Sequence, residues 1–239
     1  MKNASLIIGG HGGIAQAIIQ TLLNSERDKA IVVVSRGQRP ANAADIDWYQ
    51  SDHGEASINE ITQAFQEQGL VFERVFICLG ILHDDTVSPE KRLEDLNAES
   101  LLHVFNINSI TPVLWLKHLL PVLKNTDPAR VAVFSARVGS ITDNHLGGWY
   151  GYRASKAALN MLLKSTAIEY ARRAPNVKII VFHPGTTDTE LSRPFSQNVP
   201  EGKLFSPAFV ATQVINILDA QTADGELSFL DWNRQPIDW

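Results

Sequence analysis

Leu6-Ile7-Ile8-Gly9-Gly10-His11-Gly12-Gly13-Ile14-Ala15 is the stretch whose reading decides the fold. The apolar triplet reads as a buried strand, the glycine run breaks it, and from Ile14 through Leu23 the apolar residues recur at helical spacing. Strand, glycine turn, helix presents free backbone N–H groups and a helix N-terminus to a phosphate. Gly9 would make the tight turn, while Gly13 and Ala15 let helix, strand and a diphosphate approach closely. His11, Gly12 and Ile14 complete that cradle. A glycine-rich loop that serves only as a turn is the plain alternative.

Outward from this turn the pattern repeats. Ala30-Ile31-Val32-Val33-Val34 is a second buried strand, ending at Ser35-Arg36. A carboxylate at Ser35 would pair with ribose hydroxyls and repel a 2′-phosphate, whereas an arginine at the next position accepts one, so NADP(H) is expected over NAD. Trp48-Tyr49-Gln50 reads as a short strand, and Ile58, Ile61, Ala64 and Phe65 mark a helix ending at Gly69. Arg74-Val75-Phe76-Ile77-Cys78 is a fourth strand. Ligands of open α/β sheets sit at strand C-termini, so the run Cys78-Leu79-Gly80 should wall the cofactor, with Cys78 itself expected to pack. Residues 83–96 are polar and carry the weakest pattern.

A helical pattern then runs from Glu99 to Leu123 with Pro112 inside it. Proline cannot donate to the carbonyl four residues back, so the helix is expected to kink at Asn108 and free a backbone acceptor there. Such a group is either a water anchor or only a kink. Val131-Ala132-Val133-Phe134 is the next buried strand, followed by a long helix opening near Tyr150. On that helix Tyr152 and Lys156 are four apart and share a face. A phenol with an ordinary pKa near ~10 is a poor acid or base at neutral pH, and a fixed ammonium beside it is expected to lower that value. An ordinary face with a half-buried Tyr and a solvated Lys is the alternative.

Val177 to Phe182 is another buried strand, ended by His183-Pro184-Gly185. The hydroxyls of Thr187 and Thr189 follow, near the expected cofactor. Arg193 to Lys203, broken by two prolines, reads as a mobile segment over the site, within a substrate loop of about 186–205. Ser206-Pro207 is a helix start, and Leu227 to Leu230 a last strand. Strands alternating with helices imply an α/β fold, a doubly wound parallel sheet of the Rossmann type, as a single domain over 1–239.

The 239 residues are 44% hydrophobic and carry a formal charge of -5, without a basic block, so nucleic acid and anionic membranes are not expected partners. Cys78 is the only cysteine, which excludes an internal disulfide and favours a reducing compartment. No leader pattern follows Met1-Lys2, no apolar run approaches ~20 residues, and the histidines lack metal-ligand spacing. A cytoplasmic protein without a metal site is the expectation.

With these residues collected, the whole chain resembles the short-chain dehydrogenase/reductase family, and within it the C-factor and sniffer-like carbonyl reductases. Gly9-x-x-x-Gly13-Ile14-Ala15 is similar to the family's glycine turn, with Ala15 for the last glycine. Asn108, the Tyr152-x-x-x-Lys156 pair and Pro184-Gly185 fall at its other motifs. The resemblance implies hydride transfer between NADPH and a small carbonyl or alcohol. Tyr152 would be the proton donor, Lys156 would hold the nicotinamide ribose, and Asn108 would anchor a relay water. Thr187 and Thr189 would meet the carboxamide and diphosphate. A homodimer or homotetramer through the long helices is implied too.

Two positions depart from the family. Its Asn-Ala-Gly is Cys78-Leu79-Gly80 here, and its serine, three residues before Gly139, is Ala136. Ser135 or Ser140 would then supply the missing hydroxyl, with Ser135 nearer the strand end; strand alternation turns Ser135 away unless the chain bulges. Two functions follow: an NADP-dependent carbonyl reductase, or a dinucleotide-binding signalling or scaffold protein with little turnover. Ala136 favours the second, and retention of Tyr152 with Lys156 the first.

Overall fold

The computed structural model describes residues 3–25, 30–41, 46–125 and 127–239; Met1 and Lys2, where the leader reading began, lie outside them. Seven strands form one parallel sheet: β1 (Asn3–Ile8), β2 (Ile31–Ser35), β3 (Asp47–Gln50), β4 (Val71–Ile77), β5 (Ala129–Phe134), β6 (Val177–His183) and, late in the chain, β9 (Ser228–Asp231). Their order is β3-β2-β1-β4-β5-β6-β9. The chain therefore winds outward from β1 in one direction and then restarts from β1 in the other, which puts a crevice at the C-terminal ends of β1 and β4.

The apolar runs are continuous because both faces of the sheet are covered. Successive side chains alternate, so each run feeds two cores. Leu6, Ile8, Val32, Val131 and Val133 face α2 (Glu55–Glu67), α4 (Thr111–Leu123) and α5 (Tyr150–Arg173). Ile7, Val33, Ala132 and Phe134 face α1 (Gly13–Leu23) and α6 (Pro207–Asp219). Ser206 caps α6 as expected, its hydroxyl accepting from the Phe209 amide at 3.2 Å. None of the described helices is long and apolar enough to cross a membrane.

Two local features differ from the sequence expectation. The run from Glu99 to Leu123 is not one kinked helix. α3 (Ala98–Phe105) passes into a π-turn over Asn106–Ile110 before α4 begins, and the Thr111 amide donates to the Asn106 carbonyl five residues back. The ring of Pro112 accounts for the break: with no N–H there, the Asn108 carbonyl has no helical donor, and a wider turn absorbs the mismatch. The second feature is a two-residue parallel ladder, β7 (Thr186–Thr187) with β8 (Leu204–Phe205), that closes the neck of the segment read as mobile. Asp188 N donates to Phe205 O at 2.8 Å to extend it.

Candidate active site

The glycine turn stands where β1 meets β4. Gly9 has a φ of +92, and a Cβ there would lie 3.1 Å from the Cys78 carbonyl oxygen, so only glycine lets the two strand ends meet this closely. α1 starts at Gly13 with Gly12 as its cap and no side-chain oxygen on its first-turn amides. Uncapped N–H groups at a helix start are suited to holding an anion. Ile14 anchors the turn by packing into the α1/α6 core. A cavity of about 530 Å³ runs from Gly9, His11 and Gly12 along Ser35 and Arg36 to Leu79, Gly80 and Thr111. Of the nucleotide-contacting residues expected from β1, β2 and β4, all but exposed Gly13 and half-buried Ile14 line this space.

The threonines arrive from the other side. Gly185, at a φ of +72, turns the chain out of β6, and Thr187 is buried in the β7–β8 ladder. A Cβ on Gly13 would lie 3.0 Å from Thr189 Cγ2. The substrate loop thus reaches back to the glycine turn through Thr189, whereas Pro184, Gly185 and Thr187 do not line the cavity.

At the far end stand Tyr152, Lys156 and Asn108. Gly139 sets the distance between α5 and the end of β5: a Cβ there would lie 2.8 Å from Lys156 Cβ. Lys156 is buried and donates from Nζ to the Phe134 carbonyl at 3.0 Å. Its Nζ lies 5.9 Å from the Tyr152 ring centre. Asn108 is fully buried. Its Oδ1 accepts from Ile81 N at 2.7 Å, and its Nδ2 donates to Ile81 O at 2.9 Å and to Ser155 Oγ at 3.0 Å. The π-turn therefore aims the Asn108 side chain at the strand-end loop that carries Gly80, and Ser155 Oγ in turn donates to the Tyr152 carbonyl at 2.8 Å.

The expected effect of the ammonium on the phenol is not what the site shows. Burial pushes the Tyr152 hydroxyl up to about 12. Burial likewise pulls Lys156 down to about 8. Desolvation disfavours the charged form of each group, and at this separation it outweighs their attraction. The thiol of Cys78 is also pushed up by burial; the half-buried side chain packs against the α1/α6 core and lines the cavity as well.

The hydroxyl expected to replace the family serine is engaged elsewhere. Ser135 is buried and donates to Asn160 Oδ1 at 2.8 Å, because strand alternation carries its side chain toward α5. Ser140 Oγ accepts from Asp143 N at 3.1 Å, within its own turn. Neither hydroxyl bonds to Tyr152, so the preference for Ser135 as a substrate donor is corrected. Its role in this structure is to tie β5 to α5.

Five further residues surround the site. Asn160 lies one turn beyond Lys156 on the same face, and its Nδ2 reaches the Gly139 carbonyl at 3.4 Å. The helical spacing from Tyr152 through Lys156 could have singled it out. Glu90, from the weakly patterned segment, is buried and accepts from Gly151 N at 3.0 Å, capping the helix that carries Tyr152. A carbon on Gly151 would lie 2.8 Å from Glu90 Oε1, so a glycine makes room for the carboxylate. No local signal marks that contact. Trp149, Phe195 and His83 form a row of aromatic rings beside Tyr152: Trp149 to Tyr152 at 6.2 Å, Trp149 to Phe195 at 5.2 Å and His83 to Phe195 at 5.6 Å.

Comparison with known proteins places this geometry. The family model for short chain dehydrogenases matches residues 3–200. A 1-hydroxy-2-glutathionyl-2-methyl-3-butene dehydrogenase of Rhodococcus sp. is 26% identical over 95% of this chain and 98% of its own. The C-signal protein of Myxococcus xanthus is 29% identical over 62% of this chain and 83% of its own. Among solved structures, the carbonyl reductase Sniffer of D. melanogaster superposes over 100% of both chains with a TM-score of 0.85 at 20% identity, a likeness of fold.

Proposed function

The chain belongs to the short-chain dehydrogenase family, and on that premise we propose that it is an NADPH-dependent reductase of small carbonyl compounds with Tyr152 as proton donor. One observation carries the reading. The cavity that begins at the glycine turn includes Gly80, and a carbon placed on Gly80 would sit 3.4 Å from Lys156 Nζ and 3.6 Å from Asn108 Oδ1. The support for the reading is that Lys156 and Asn108 lie next to the far wall of the cavity that opens at the glycine turn.

The residues fit a dinucleotide. A Cβ at Gly9 would fill the cradle, and the first-turn amides of α1 carry no side-chain cap. Bound there, a reduced nicotinamide supplies the hydride. The amides around Gly9 to Ile14 hold the diphosphate, Arg36 favours the 2′-phosphate, Leu79 and Gly80 wall the cofactor, and Thr187 and Thr189 close over it. Lys156 meets the ribose. Asn108, held by Ile81 and Ser155, keeps the π-turn carbonyls in place beside the site. Tyr152, with its hydroxyl at about 12, is protonated at neutral pH. That is the form a reduction needs, because the phenol gives its proton to the carbonyl oxygen as charge develops there.

A second reading is a dinucleotide-binding signalling protein with little turnover. Ala136, with Ser135 and Ser140 both engaged, favours it, as does the likeness to C-signal. NADPH oxidation against a panel of aldehydes, ketones and quinones, beside calorimetric NADPH binding, separates the two. Turnover that is lost in Tyr152→Phe while NADPH still binds supports the reductase. Binding without turnover on any carbonyl supports the second reading.

The reading includes a homodimer or homotetramer. Leu102, Met161 and Ile168 on α3 and α5 are exposed apolar side chains, Met161 to 68%. Sedimentation of Met161→Glu against the parent tests the helix interface, and a parent that sediments as a monomer refutes it.

A further inference from the structure

Glu90 is a buried carboxylate that the proposed reaction leaves unused. We propose that Glu90 is a positioning residue for proton transfer: through its carboxylate and its own carbonyl it holds the entry of α5 where Tyr152 and Trp149 face the substrate. The inference rests on the reductase reading above and deepens it.

Among the described residues, α5 does not cap itself: Trp149, which precedes it, makes no side-chain cap bond, and the first turn carries no acidic residue. Trp149 stands at a φ of +53 and a ψ of 43, the left-handed region that a residue with a β-carbon enters only at a cost. Gly147 and Gly148 before it each have a φ of +65. Three successive left-handed residues form a turn that needs outside support, and Glu90 supplies it. Its carbonyl oxygen accepts from Trp149 N, and its Oε2 accepts from Gly151 N at 3.0 Å. One residue therefore holds two amides at the helix start, and Tyr152 is the next in the chain.

The origin of this cap matters more than its strength. A cap needed only for stability is met by Ser, Thr, Asp or Asn at the helix boundary. Here the acceptor comes from 61 residues earlier, and burying a carboxylate is costly unless donors and a helix dipole receive it. What the remote carboxylate adds is a tie between α5 and the segment that carries it. That segment is fixed on both sides of Glu90. Asp84 Oδ1 accepts from Thr86 N at 2.7 Å and from Val87 N at 2.9 Å, and Val87 is buried. Asp95 Oδ2 accepts from Lys91 N and Arg92 N, each at 3.1 Å.

Tyr152 is thereby held from two directions. Its carbonyl accepts from Ser155 Oγ, which Asn108 braces from the π-turn, and its N-terminal side is held by Glu90. Trp149 carries the same placement to the aromatic row that reaches Phe195. A shift at the helix entry moves the phenol and this row together. Misplacement of a reacting group by about 1 Å costs on the order of 10² in rate.

The test compares Glu90→Ala, Glu90→Gln and Gly151→Ala with the parent, by NADPH oxidation with a carbonyl compound the parent reduces and by calorimetric NADPH binding. Glu90→Ala should lower kcat about 10- to 100-fold and leave the NADPH Kd within about twofold, because Glu90 does not line the nucleotide cavity. Glu90→Gln, whose amide oxygen can still accept from Gly151 N, should recover most of the loss. In Gly151→Ala the new carbon would lie 2.8 Å from Glu90 Oε1 and displace the carboxylate, so the same selective fall in kcat is expected from the helix side. Unchanged kcat in Glu90→Ala would make Glu90 a cap for stability alone and overturn the inference, as would parallel loss of kcat and NADPH binding. If Glu90→Ala fails to fold, Gly151→Ala decides: a selective fall in kcat supports the inference, and none refutes it. A parent that reduces no carbonyl refutes the reductase reading, a separate result. Amide exchange reads the tie without turnover: the Trp149 and Gly151 N–H groups should exchange at least about tenfold faster in Glu90→Ala, while the rest of α5 keeps its parent rates. Unchanged exchange at those two amides refutes the inference in either case.

Discussion

Lys156→Met should make the nucleotide-free protein more stable while removing its activity. A buried lysine held at about 8 rather than its ordinary 10.5 is protonated at pH 7 at a cost to the fold. At about 1.4 kcal/mol per tenfold displacement of the equilibrium, that cost is roughly 3 kcal/mol. Methionine matches the stem and carries no charge, but it forfeits the Nζ bond to Phe134 O, a loss of about 1 kcal/mol. The net gain expected at pH 7 is therefore about 2 kcal/mol. The sign with pH follows from the depressed value. Between about 8 and 10.5 the unfolded chain binds more protons than the native one, so the parent gains stability as pH rises through this window. The variant lacks that gain, so the gap should close near pH ~9.5 and reverse by about 1 kcal/mol toward pH 10.5, where the parent keeps its bond to Phe134 O. Tyr152, raised to about 12, acts in the opposite sense above pH 10 in both proteins and leaves the difference between them intact. Urea unfolding of both proteins at pH 7, 9 and 10.5 reads it directly. A variant no more stable than its parent at pH 7, or a gap that does not close with pH, would refute the account of Lys156 as a group held against its solvation.

Asn108→Ala removes three side-chain hydrogen bonds and leaves Ile81 without its partners, so unfolding free energy should drop by roughly 3 kcal/mol; a drop below about 1 would show that the tie to Ile81 is weak in solution. Ala136→Ser restores a hydroxyl at the family position and should raise kcat by at least about tenfold, toward the 10²–10³ of an oxyanion donor; unchanged turnover would mean that another donor already serves. Arg36→Asp should reverse cofactor preference in kcat/KM from NADPH to NADH by setting like charges together, and a retained NADPH preference would remove Arg36 from the subsite.

The parts of the fold legible in the sequence are those fixed by short-range patterns. Five-residue runs such as Ile31–Ser35 need only their own hydrophobicity to be read as buried strands. Pro112 forecast the break near Asn108 from one missing N–H, though not that a π-turn would repair it or that the side chain would be the part put to use. Glu90 over Gly151, Ser135 on Asn160, and Thr186–Thr187 beside Leu204–Phe205 join residues far apart along the chain, and no local periodicity encodes such partners. The Tyr152 hydroxyl moves up where spacing predicts a fall, for a related reason: spacing sets which groups are neighbours, whereas burial is a property of the assembled layers.

The ladder between Thr186–Thr187 and Leu204–Phe205 gives the segment 188–203 a fixed base. A loop whose ends are already joined transmits little of its own length or composition to what lies beneath, since each doubling of length adds only about 0.6 kcal/mol of closure entropy. Exchange of this segment as a cassette between relatives, cut after Ser192 so that Thr189 stays against Gly13, should leave the sheet and glycine turn undisturbed while altering what reaches Tyr152. Diversity of ligands in such a scaffold is then a matter of swapping one tethered insert, with Trp149 and His83, which meet Phe195, the positions that change along with it.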